Sequence, residues 1–471
     1  MDSHHRSSHL TIAVAVIAGV LALAWAAAVA PPAVAGSIPH LQWTSIYAPT
    51  VNQDSWNDVA MGPGHTVYVC GTQNVGQGVG EWIMTVARYN AAGKLMWETP
   101  TIPGVKTWAD SADGSEGNAL AVDHAGNVIV VGASYADGGG FAVVKFSGVD
   151  GHVMWKKDFM LVGPGPATDV VLDSAGNAYV TGTAVGGMST GEVIYTAKFR
   201  ASDGRKLWEN LLGPATGPSK DGRGIALAID AHRNTYVVGH ASATSTYDDW
   251  MVQKISPAGK TLWAHKWRGP YKHVDMPSCL ALSTGAVYVA GTTQTDPNGS
   301  TDAVVVKYNL SGKRLWTKQI KLAATQTEVS GMCFDSYGHL LLAGQRRSLG
   351  NGSVKTFLTK LTANGKTDWL RSQASPSNPL GAMAYFGIVK GPTGSMYLSG
   401  YEAPSATDDN MLIEKRTSAG KIAWRADYGW QDNGDDSAGA LVRDGTTALY
   451  VSGEIRQTAT FYDATLQRFK P

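Results

Sequence analysis

The sequence predicts an all-β fold, an eight-bladed β-propeller with four-stranded antiparallel blades. Two repeated signatures and one missing pattern predict it. Tyr-Val-x-Gly, or an aliphatic variant of it, occurs eight times, and a Gly followed four residues later by Trp occurs seven times. No segment after residue 36 has the apolar period of a helix. Because four-stranded blades repeated around a channel define a propeller, the repeats indicate eight blades, with seven blades and a degenerate one as the alternative.

The strands of one blade are clearest in the third repeat. They cover 169–173, 178–183, 193–199 and 206–210, where β-branched and aromatic residues are frequent and polarity alternates. Gly204 stands in a turn that needs a positive φ, and the high Gly content, 55 of 471 residues, is attributed to such turns. The other repeats predict the same order of strands and turns.

The eighth Trp stands at the other end of the chain. Trp43 lies in the segment 41–43, whereas residues 437–471 supply only three strands. We therefore expect the N-terminal strand to pair into the last blade and close the ring, which removes exposed strand edges. The repeat tryptophans are expected to pack between neighbouring blades. They are Trp43, Trp97, Trp155, Trp208, Trp263, Trp316, Trp369 and Trp424.

Two motifs carry a resemblance to known families. Gly-Lys-x-x-Trp, as in 93–97 and 420–424, resembles the tryptophan-docking motif of quinoprotein-like eight-bladed propellers. The segment 173–182 is similar to the repeat of the bacterial β-propeller repeat family. The resemblance covers residues 41–471 and implies an exported or cell-surface propeller. Its motifs consist of packing residues, so it implies no particular activity.

Some quinoprotein-like propellers are dehydrogenases that hold pyrroloquinoline quinone over a calcium ion. Their pattern includes an adjacent Cys pair, whereas Cys70, Cys279 and Cys333 are far apart in this sequence. No set of residues matches the calcium ligands or the catalytic Asp. We therefore predict no cofactor, and neither calcium nor the quinone is supported by matched ligands. Buried free thiols are the favoured interpretation of the cysteines, and a Cys279–Cys333 disulfide is the alternative.

The N-terminal segment has the layout of a secretory signal peptide. An apolar run over 10–30 is followed by a small-residue cleavage site over 33–35. Because about 20 apolar residues can span a bilayer, an uncleaved anchor is the alternative. We expect 1–35 to be a signal peptide or anchor and 36–471 to be one domain. The protein is then secreted, periplasmic or at the cell surface.

Charge limits the classes of partner. Lys and Arg number 39 against 38 Asp and Glu, a formal net charge of +1. A nucleic-acid-binding chain is expected to carry a basic excess, so we predict no nucleic-acid partner and a surface without one dominant charged patch. Membrane contact is expected only through an uncleaved N-terminal segment. We expect a monomer that binds a protein or a carbohydrate.

The loops predict which face carries the function. Connections from second to third strands and between blades are long and varied, whereas the other turns are short and repetitive. Varied loops on a rigid frame are where binding residues concentrate. The candidates on that face are Trp56, Trp108, Tyr271, His273, Trp430, Asp432, Asp435 and Asp436. The alternative is that these side chains only cover solvated loops.

Carboxylates recur at two other places. Six of the eight third strands begin with an acid, for which bonds to backbone N–H groups are favoured over cation binding. These are Glu81, Glu192, Asp249, Asp302, Asp409 and Asp463. Asp58 and Asp169 lie in inner strands and are expected closest to the channel mouth, with capped strand ends as the alternative.

The sequence thus predicts an exported propeller that binds a macromolecular or carbohydrate partner through its long-loop face. It assigns no catalytic residue and no metal ligand. The alternative is an enzyme at the channel mouth, either a quinoprotein-like oxidoreductase or an enzyme that acts on polysaccharide. Paired carboxylates in such an enzyme would stand about 5–10 Å apart.

Overall fold

The structure is a computed structural model that describes residues 40–48, 53–74, 82–99, 115–134, 140–159, 165–185, 191–213, 221–242, 248–271, 274–322, 324–378, 381–405, 408–429, 434–458 and 461–471. In these ranges the regular elements are β-strands and two 3₁₀ turns, Pro63–His65 and Pro392–Gly394. The prediction of an all-β fold is confirmed. No helix among the same residues is long and apolar enough to cross a membrane. The predicted signal peptide over 1–35 lies outside the described residues.

The strands form groups of four, which we call units 1 to 8 in chain order. Unit 1 contains β2 (Asp54–Gly62), β3 (Thr66–Asn74), β4 (Trp82–Tyr89) and β5 (Leu95–Thr99), and unit 2 contains β6 (Ser115–Val122), β7 (Val128–Ser134), β8 (Gly140–Phe146) and β9 (Val153–Phe159). Unit 3 contains β10 (Ala167–Leu172), β11 (Ala178–Val185), β12 (Glu192–Phe199) and β13 (Lys206–Leu212), and unit 4 contains β14 (Asp221–Ile229), β15 (Thr235–Ser242), β16 (Asp249–Ile255) and β17 (Thr261–Trp267).

Units 5 to 8 follow the same order of strands. Unit 5 contains β18 (Asp275–Ser283), β19 (Ala286–Gln294), β20 (Thr301–Asn309) and β21 (Arg314–Ile320), and unit 6 contains β22 (Thr325–Phe334), β23 (Leu340–Ser348), β24 (Val354–Leu361) and β25 (Thr367–Arg371). Unit 7 contains β26 (Met383–Lys390), β27 (Met396–Glu402), β28 (Asn410–Arg416) and β29 (Ile422–Tyr428), and unit 8 contains β30 (Ser437–Asp444), β31 (Ala448–Thr458), β32 (Phe461–Phe469) and β1 (Leu41–Tyr47).

Each unit is an antiparallel sheet, and almost all of the backbone pairing lies within a unit. Six of them are separate four-stranded sheets, and units 5 and 6 form one eight-stranded sheet. In the described residues, the backbone pairing between these two units is the single parallel pair Thr301–Gln326. The first strand of each unit contacts the first strands of the units before and after it, and β2 contacts β30. The first strands therefore line the centre of the structure.

Unit 8 combines the two ends of the described chain. β1 pairs antiparallel with β32, from Leu41 opposite Phe469 to Tyr47 opposite Ala464. The backbone N–H of Lys470 also donates to the carbonyl of His40 at 2.7 Å. β1 is therefore the fourth strand of unit 8.

The core lies between neighbouring units. One apolar cluster contains Tyr47 and Leu466 of unit 8 with Trp56 and Val69 of unit 1. The antiparallel order places the first-to-second and third-to-fourth turns on one edge, which we call the lower edge. The other connections lie on the opposite edge, which we call the upper edge. Each unit is thus held by apolar side chains of the next, and the two edges are free to carry different residues.

The glycine of the Tyr-Val-x-Gly signature faces a β-bulge. A Cβ atom added to Gly400 would lie 1.9 Å from the carbonyl oxygen of Ala384, and one on Gly71 would lie 1.8 Å from that of Ser55. In each of the eight ladders between first and second strands, the register shifts beside this glycine. These eight glycines are therefore required by a close approach of two backbones within the sheet, and not by turns.

On the lower edge, repeat tryptophans bind the next unit. The indole Nε1–H of Trp97 donates to the carbonyl of Gly148 at 3.0 Å, and its ring lies against Gly151, which has a φ of +76°. Any side chain at this glycine would meet the indole. The same bond to the next unit is made by Trp43, Trp97, Trp155, Trp208, Trp263, Trp316 and Trp369.

Trp424 differs from the other seven repeat tryptophans because it makes no such bond. Its Nε1–H is buried with no hydrogen-bond partner in the described residues. In the place of a turn, the His40 ring stacks on the Trp424 indole at 4.8 Å with an interplanar angle of 22°. The contact from unit 7 to unit 8 is therefore made by stacking without the hydrogen bond.

A cation in each third strand completes the lower-edge contact, and the sequence analysis missed it. The Lys198 ammonium lies 4.5 Å from the centre of the Tyr179 ring and 3.1 Å from Oδ2 of Asp173. Burial alone would raise the pKa of Asp173, but hydrogen bonds from Asn177 and Lys198 outweigh it and lower this pKa. The signal was readable in the sequence, because the position is Lys or Arg in all eight repeats. The residues are Arg88, Lys145, Lys198, Lys254, Lys307, Lys360, Lys415 and Arg468.

Candidate functional site

Several predicted site residues can be placed, and others cannot. Trp108, His273, Trp430 and Asp432 lie outside the described residues, as does the acid Glu81. Tyr271 is exposed in the connection from unit 4 to unit 5 on the upper edge. Asp435 is exposed on the upper edge of unit 8.

Two of the candidates were wrongly interpreted as exposed loop residues. Trp56 lies inside β2, is only 3% exposed, and packs against the Tyr47 ring at 4.8 Å. Asp436 is 1% exposed, and its Oδ1 accepts the backbone N–H of Arg456 at 2.8 Å. Trp56 fills the space between units 8 and 1, and Asp436 caps backbone groups. Neither side chain is presented to a partner.

Asp58 and Asp169 join neighbouring first strands. Oδ1 of Asp58 accepts the N–H of Val59 at 2.8 Å, and its Oδ2 accepts that of Leu120 in the next unit at 2.9 Å. Asp169 bonds to Val170 and Leu227 in the same way, both at 2.8 Å. Burial raises the pKa of Asp58 to about 7 and that of Asp169 to about 6. Because their oxygens are engaged by backbone groups, the geometry favours capping over ligand binding.

The upper edge of units 6 to 8 brings together aromatic and charged side chains from three repeats. We call this set the rim cluster. Its centre is the contact of Phe386 with Tyr401, whose ring centres are 5.5 Å apart. Phe386 is 41% exposed. The members are Glu328, Gln345, Arg347, Phe386, Tyr401, Asp409, Asp435, Glu454, Arg456 and Tyr462.

Unit 6 contributes the first charged side of the rim cluster. The Gln345 amide donates to Oε2 of Glu328 at 2.6 Å. Tyr401 of unit 7 is close enough to Arg347, Glu328 and Asp409 for their charges to act on its hydroxyl. Burial is the largest cause that raises the pKa of Tyr401 to about 12, followed by Asp409. The Tyr401 hydroxyl is therefore a neutral donor at any physiological pH.

Units 7 and 8 contribute the carboxylates of the rim cluster. The backbones of Asp409 and Asp435 pair in an isolated parallel β-bridge, which brings the two residues side by side. The Tyr462 hydroxyl donates to Oδ2 of Asp435 at 3.3 Å. Burial and then the charge of Asp435 raise the pKa of Asp409 to about 6. Burial raises the pKa of Glu454 to about 7. The rim cluster thus holds carboxyl groups that keep a proton near neutral pH beside one that is exposed and bound by a tyrosine.

Third-strand acids have different partners in different units. Asp302 accepts the N–H of Leu322 at 3.0 Å, which is the backbone role that the sequence analysis favoured. Asp249 is bound by Arg268 at 2.6 Å, and its pKa is lowered because this cation and Lys266 outweigh burial. Burial alone raises the pKa of Asp463 to about 7. The same repeat position therefore carries a compensated charge in one unit and an uncompensated one in another.

The described residues do not fit a quinone site. Cys70, Cys279 and Cys333 are free thiols on three different units. In the described part of the chain, no group of three or more His, Cys, Asp or Glu is arranged to hold a metal ion. A quinone held over calcium needs such a set of ligands, so no step through that cofactor is derived.

Most of the rim cluster lies within strands, and not in the long loops that the sequence predicts as the binding face. Gln345, Tyr401 and Glu454 each follow the signature glycine, within a strand. The corresponding residues of units 1 to 4 are buried, for example Thr72 and Ala133. The position is Thr72, Ala133, Thr183, His240 and Thr292 in units 1 to 5, and the sequence shows Gln345, Tyr401 and Glu454 there in the last three repeats.

Solved structures show the fold of this chain. A quinohemoprotein alcohol dehydrogenase from Comamonas testosteroni is 14% identical, with a TM-score of 0.53 over 91% of this chain and 76% of that chain. A second one, from Pseudomonas putida, is 11% identical, with a TM-score of 0.53 over 89% and 76%. An ulvan lyase, a polysaccharide lyase, has a TM-score of 0.45 at 13% identity, over 86% and 92%. No family model and no curated protein matches the chain. The likeness shows a β-propeller fold and nothing of its activity.

Proposed function

We propose that this protein is an exported β-propeller that binds a carbohydrate through the rim cluster. The observation that carries the proposal is the exposed Phe386 against Tyr401, with the carboxylates of Glu328 and Asp409 close by. The C–H face of a sugar ring packs on an aromatic face, and its hydroxyls donate to carboxylate oxygens. Aromatic side chains with a small number of placed polar groups beside them are typical of ligand sites.

The proposal includes the architecture that presents this site. Eight blades, one for each unit, form one ring that β1 closes by pairing with β32. Two observations support it: the first strands contact one another in sequence, and β2 contacts β30. The tryptophans that bind the next unit act as docking residues between blades. The single parallel pair that joins units 5 and 6 is then a contact between two blades and not a larger blade.

The remaining parts of the proposal concern location and composition. The chain is exported by the segment 1–35, which is removed or retained as an anchor, and it acts outside the cytoplasm as a monomer. It works without a cofactor. A protein partner is the other class of macromolecule that the upper edge could bind, and the experiment below separates the two.

The test is retention by polysaccharides. The full chain is run in native gels that contain a neutral or an acidic polysaccharide, and Phe386→Ala is compared with Tyr337→Ala. Tyr337 is a matched control, because it is 66% exposed on the lower edge of unit 6. We expect Phe386→Ala to lose at least about 1 kcal/mol of binding, a five- to tenfold weaker retention, and Tyr337→Ala to behave as the wild type. If no polysaccharide retards the wild type, or both variants lose retention equally, the proposal is wrong.

A second candidate function follows from the protonation states in the rim cluster. Asp409, with a pKa of about 6, and Glu454, with a pKa of about 7, can each hold a proton near neutral pH, while Asp435 accepts a hydrogen bond from the Tyr462 hydroxyl. An acid beside a base is what cleavage of a polysaccharide requires. Release of reducing or unsaturated ends from a retained polysaccharide, lost in Asp409→Asn, would support this enzyme. Retention without any release would leave the binding function alone.

A further inference from the structure

The lower edge carries cations at a fixed place in successive units. Each residue directly after a third-to-fourth turn glycine is exposed, and it is Lys or Arg in six of the seven described turns. We call these residues the cationic rim: Lys94, Arg205, Lys260, Lys313, Lys366 and Lys421. The remaining turn, in unit 2, has His152 at this position. A formal charge of +1 for the whole chain is therefore compatible with a row of exposed cations at this edge.

Carboxylates on the lower edge do not cancel this charge. In the first-to-second turns, Asp123, Asp173 and Asp335 are each bound by the buried third-strand lysine of the same unit. In the third-to-fourth turns the exposed acids are Asp150 and Asp203. Asp150 binds His152 at 2.7 Å, and Asp203 binds Arg200. Asp230, which is bound by Asn234 and Tyr236, and the exposed Asp368 have no ion pair among the described residues, so these two acids offset only part of the charge of the six rim cations.

Exposed apolar side chains accompany the cationic rim. The residue just before the repeat tryptophan, two positions beyond the rim cation, is 40% to 52% exposed in units 1 to 5. We call these residues the apolar row: Met96, Met154, Leu207, Leu262 and Leu315. Units 6 and 7 have Asp368 and Ala423 there, so the row stops after unit 5. Long cationic side chains beside apolar ones are what binds the interface of an anionic bilayer.

The chain also enters the structure at this edge. His40, the first described residue, stacks on Trp424, which is three residues after Lys421. The 21-residue apolar run over 10–30 ends nine residues before His40. Nine residues reach at most about 30 Å. A bilayer that holds this run, even transiently during export, therefore lies within reach of the lower edge.

We propose that the lower edge of this protein binds the surface of an anionic lipid bilayer. The cationic rim faces the headgroups, and the apolar row enters the interface between headgroups and acyl chains. A flexible polyanion, such as a nucleic acid or an acidic polysaccharide, would satisfy the cations but would gain nothing from exposed Leu and Met side chains. Bilayer binding leaves the upper edge, with its rim cluster, turned toward the solution. The inference does not depend on what the rim cluster binds.

The experiment compares vesicles of two compositions. The full chain is sedimented with phosphatidylcholine vesicles, and with vesicles in which about a third of the lipid is phosphatidylglycerol. The measured quantity is the ratio of the two partition coefficients, because the apolar run over 10–30 contributes to both alike. We expect a ratio of about ten or more in low salt, which falls toward one at about 0.5 M salt as the charges are screened. A ratio of one in low salt would overturn the proposal.

Two pairs of substitutions locate the contact. Lys260→Glu with Lys313→Glu reverses two cations of the rim. Each cation near an anionic surface strengthens binding about fivefold, so the ratio of partition coefficients should fall at least about 25-fold, or to one where the wild-type ratio is smaller than that. Lys321→Glu with Lys355→Glu makes the same change in net charge at the upper edge and should leave the ratio unchanged. Equal loss in both pairs would mean a response to net charge alone and would overturn the proposal. If the first pair unfolds, Lys366→Glu takes its place, and circular dichroism checks each fold.

A third variant separates a bilayer from a polyanion. Leu262→Ser with Leu315→Ser shortens the apolar row without a change in charge. We expect it to lower the partition coefficient on the anionic vesicles several-fold, because apolar contact area is lost, and to leave retention on immobilised duplex DNA or polyphosphate unchanged. If the wild type binds these polyanions as well as it binds anionic vesicles and this variant loses neither, the partner is a polyanion and the bilayer proposal is wrong.

Discussion

Buried carboxyl groups at the lower and upper edges of this propeller have pKa values that are shifted in opposite directions. On the lower edge, buried carboxylates such as Asp173 and Asp335 have a lowered pKa, because lysines and amides outweigh burial. On the upper edge, burial raises the pKa of Asp54 to about 8 and that of Asp463 to about 7. The lower edge repeats one compensated arrangement, whereas the upper edge changes from unit to unit. Repetition thus accompanies the compensated carboxylates of the lower edge, whereas these raised pKa values belong to carboxyl groups of the upper edge, where the rim cluster lies.

Among the substitutions considered, those at the bulge glycines between first and second strands should lower the free energy of unfolding the most. In Gly400→Ala the new Cβ would lie 1.9 Å from the carbonyl oxygen of Ala384, so strands β26 and β27 would have to separate. We expect a loss of about 4 kcal/mol or more in the free energy of unfolding, measured by urea denaturation. Gly285→Ala, in a lower-edge turn with no atom within 4 Å of the added Cβ, should change it by less than about 1 kcal/mol. Similar losses in both would refute the bulge explanation.

Removal of a lower-edge cation should be the next largest effect. Lys198→Met leaves the buried Asp173 carboxylate without its cation, which should destabilise the fold by about 3 kcal/mol. The double variant with Asp173→Asn should recover much of this loss, because the buried charge is removed as well. A single variant as stable as the wild type would show that the two edges do not differ in the way described.

Two acids at the same repeat position should respond to pH in opposite directions. Because the pKa of Asp463 is raised to about 7, its protonated form stabilises the fold, and this contribution is lost as the pH rises from about 4 through 7. Asp463→Asn should therefore raise the melting temperature above that of the wild type at pH 8 and have little effect at pH 4. The gain at pH 8 should be about 1 kcal/mol or more.

The opposite sign is expected at Asp249. Its pKa is lowered, so its ionised form stabilises the fold above the unfolded pKa near 4, and this contribution is lost as the pH falls through the lower folded value. Asp249→Asn should destabilise the protein at pH 8 and less so at pH 3. Melting curves of both variants at several pH values are the measurement, and the same sign in both would contradict the comparison.

The smallest effect should distinguish the junction with the chain ends from the other junctions. Trp316→Phe removes the hydrogen bond from Nε1 to the carbonyl of Ala363, a loss of about 1 kcal/mol beyond the smaller ring. Trp424→Phe removes the same atoms, but its Nε1–H has no partner, so it should cost less or even stabilise. The difference between the two variants, measured by urea denaturation, isolates the bond. Equal costs would mean that ring packing alone holds the units together.

Features that every unit repeats could be predicted from the sequence. The tryptophans, the turn glycines and the order of strands recur, because each unit buries the same face against its neighbour. The lysine of the third strand recurs equally, as at Lys198, and required only the same comparison. The bulge glycines were visible but misread, because a sequence pattern does not show that the carbonyl of Ala384 approaches Gly400.

The candidate site could not be predicted in this way. Phe386 and Tyr401 belong to unit 7, and they approach Glu328 of unit 6 only because the two units are neighbours in space. Each one stands where other repeats have different residues, so no repeat pattern marks it. Trp56 shows the opposite error: an aromatic residue near a long loop was taken for a surface residue, although it lies three positions into β2 and closes the contact with unit 8.

The pairing of β1 with β32 has a consequence for how the chain folds. Every other pair of neighbouring strands within a unit is consecutive in sequence and closes a short loop, whereas this ladder requires the two ends to meet. A chain made from its N-terminus presents β1 first and supplies its partner last. Until then β1 is an unpaired strand, and β32 of a second copy offers it the same edge. The ladder that forms last is therefore the step at which exchange of β1 between two copies would give a strand-exchanged dimer in place of a monomer.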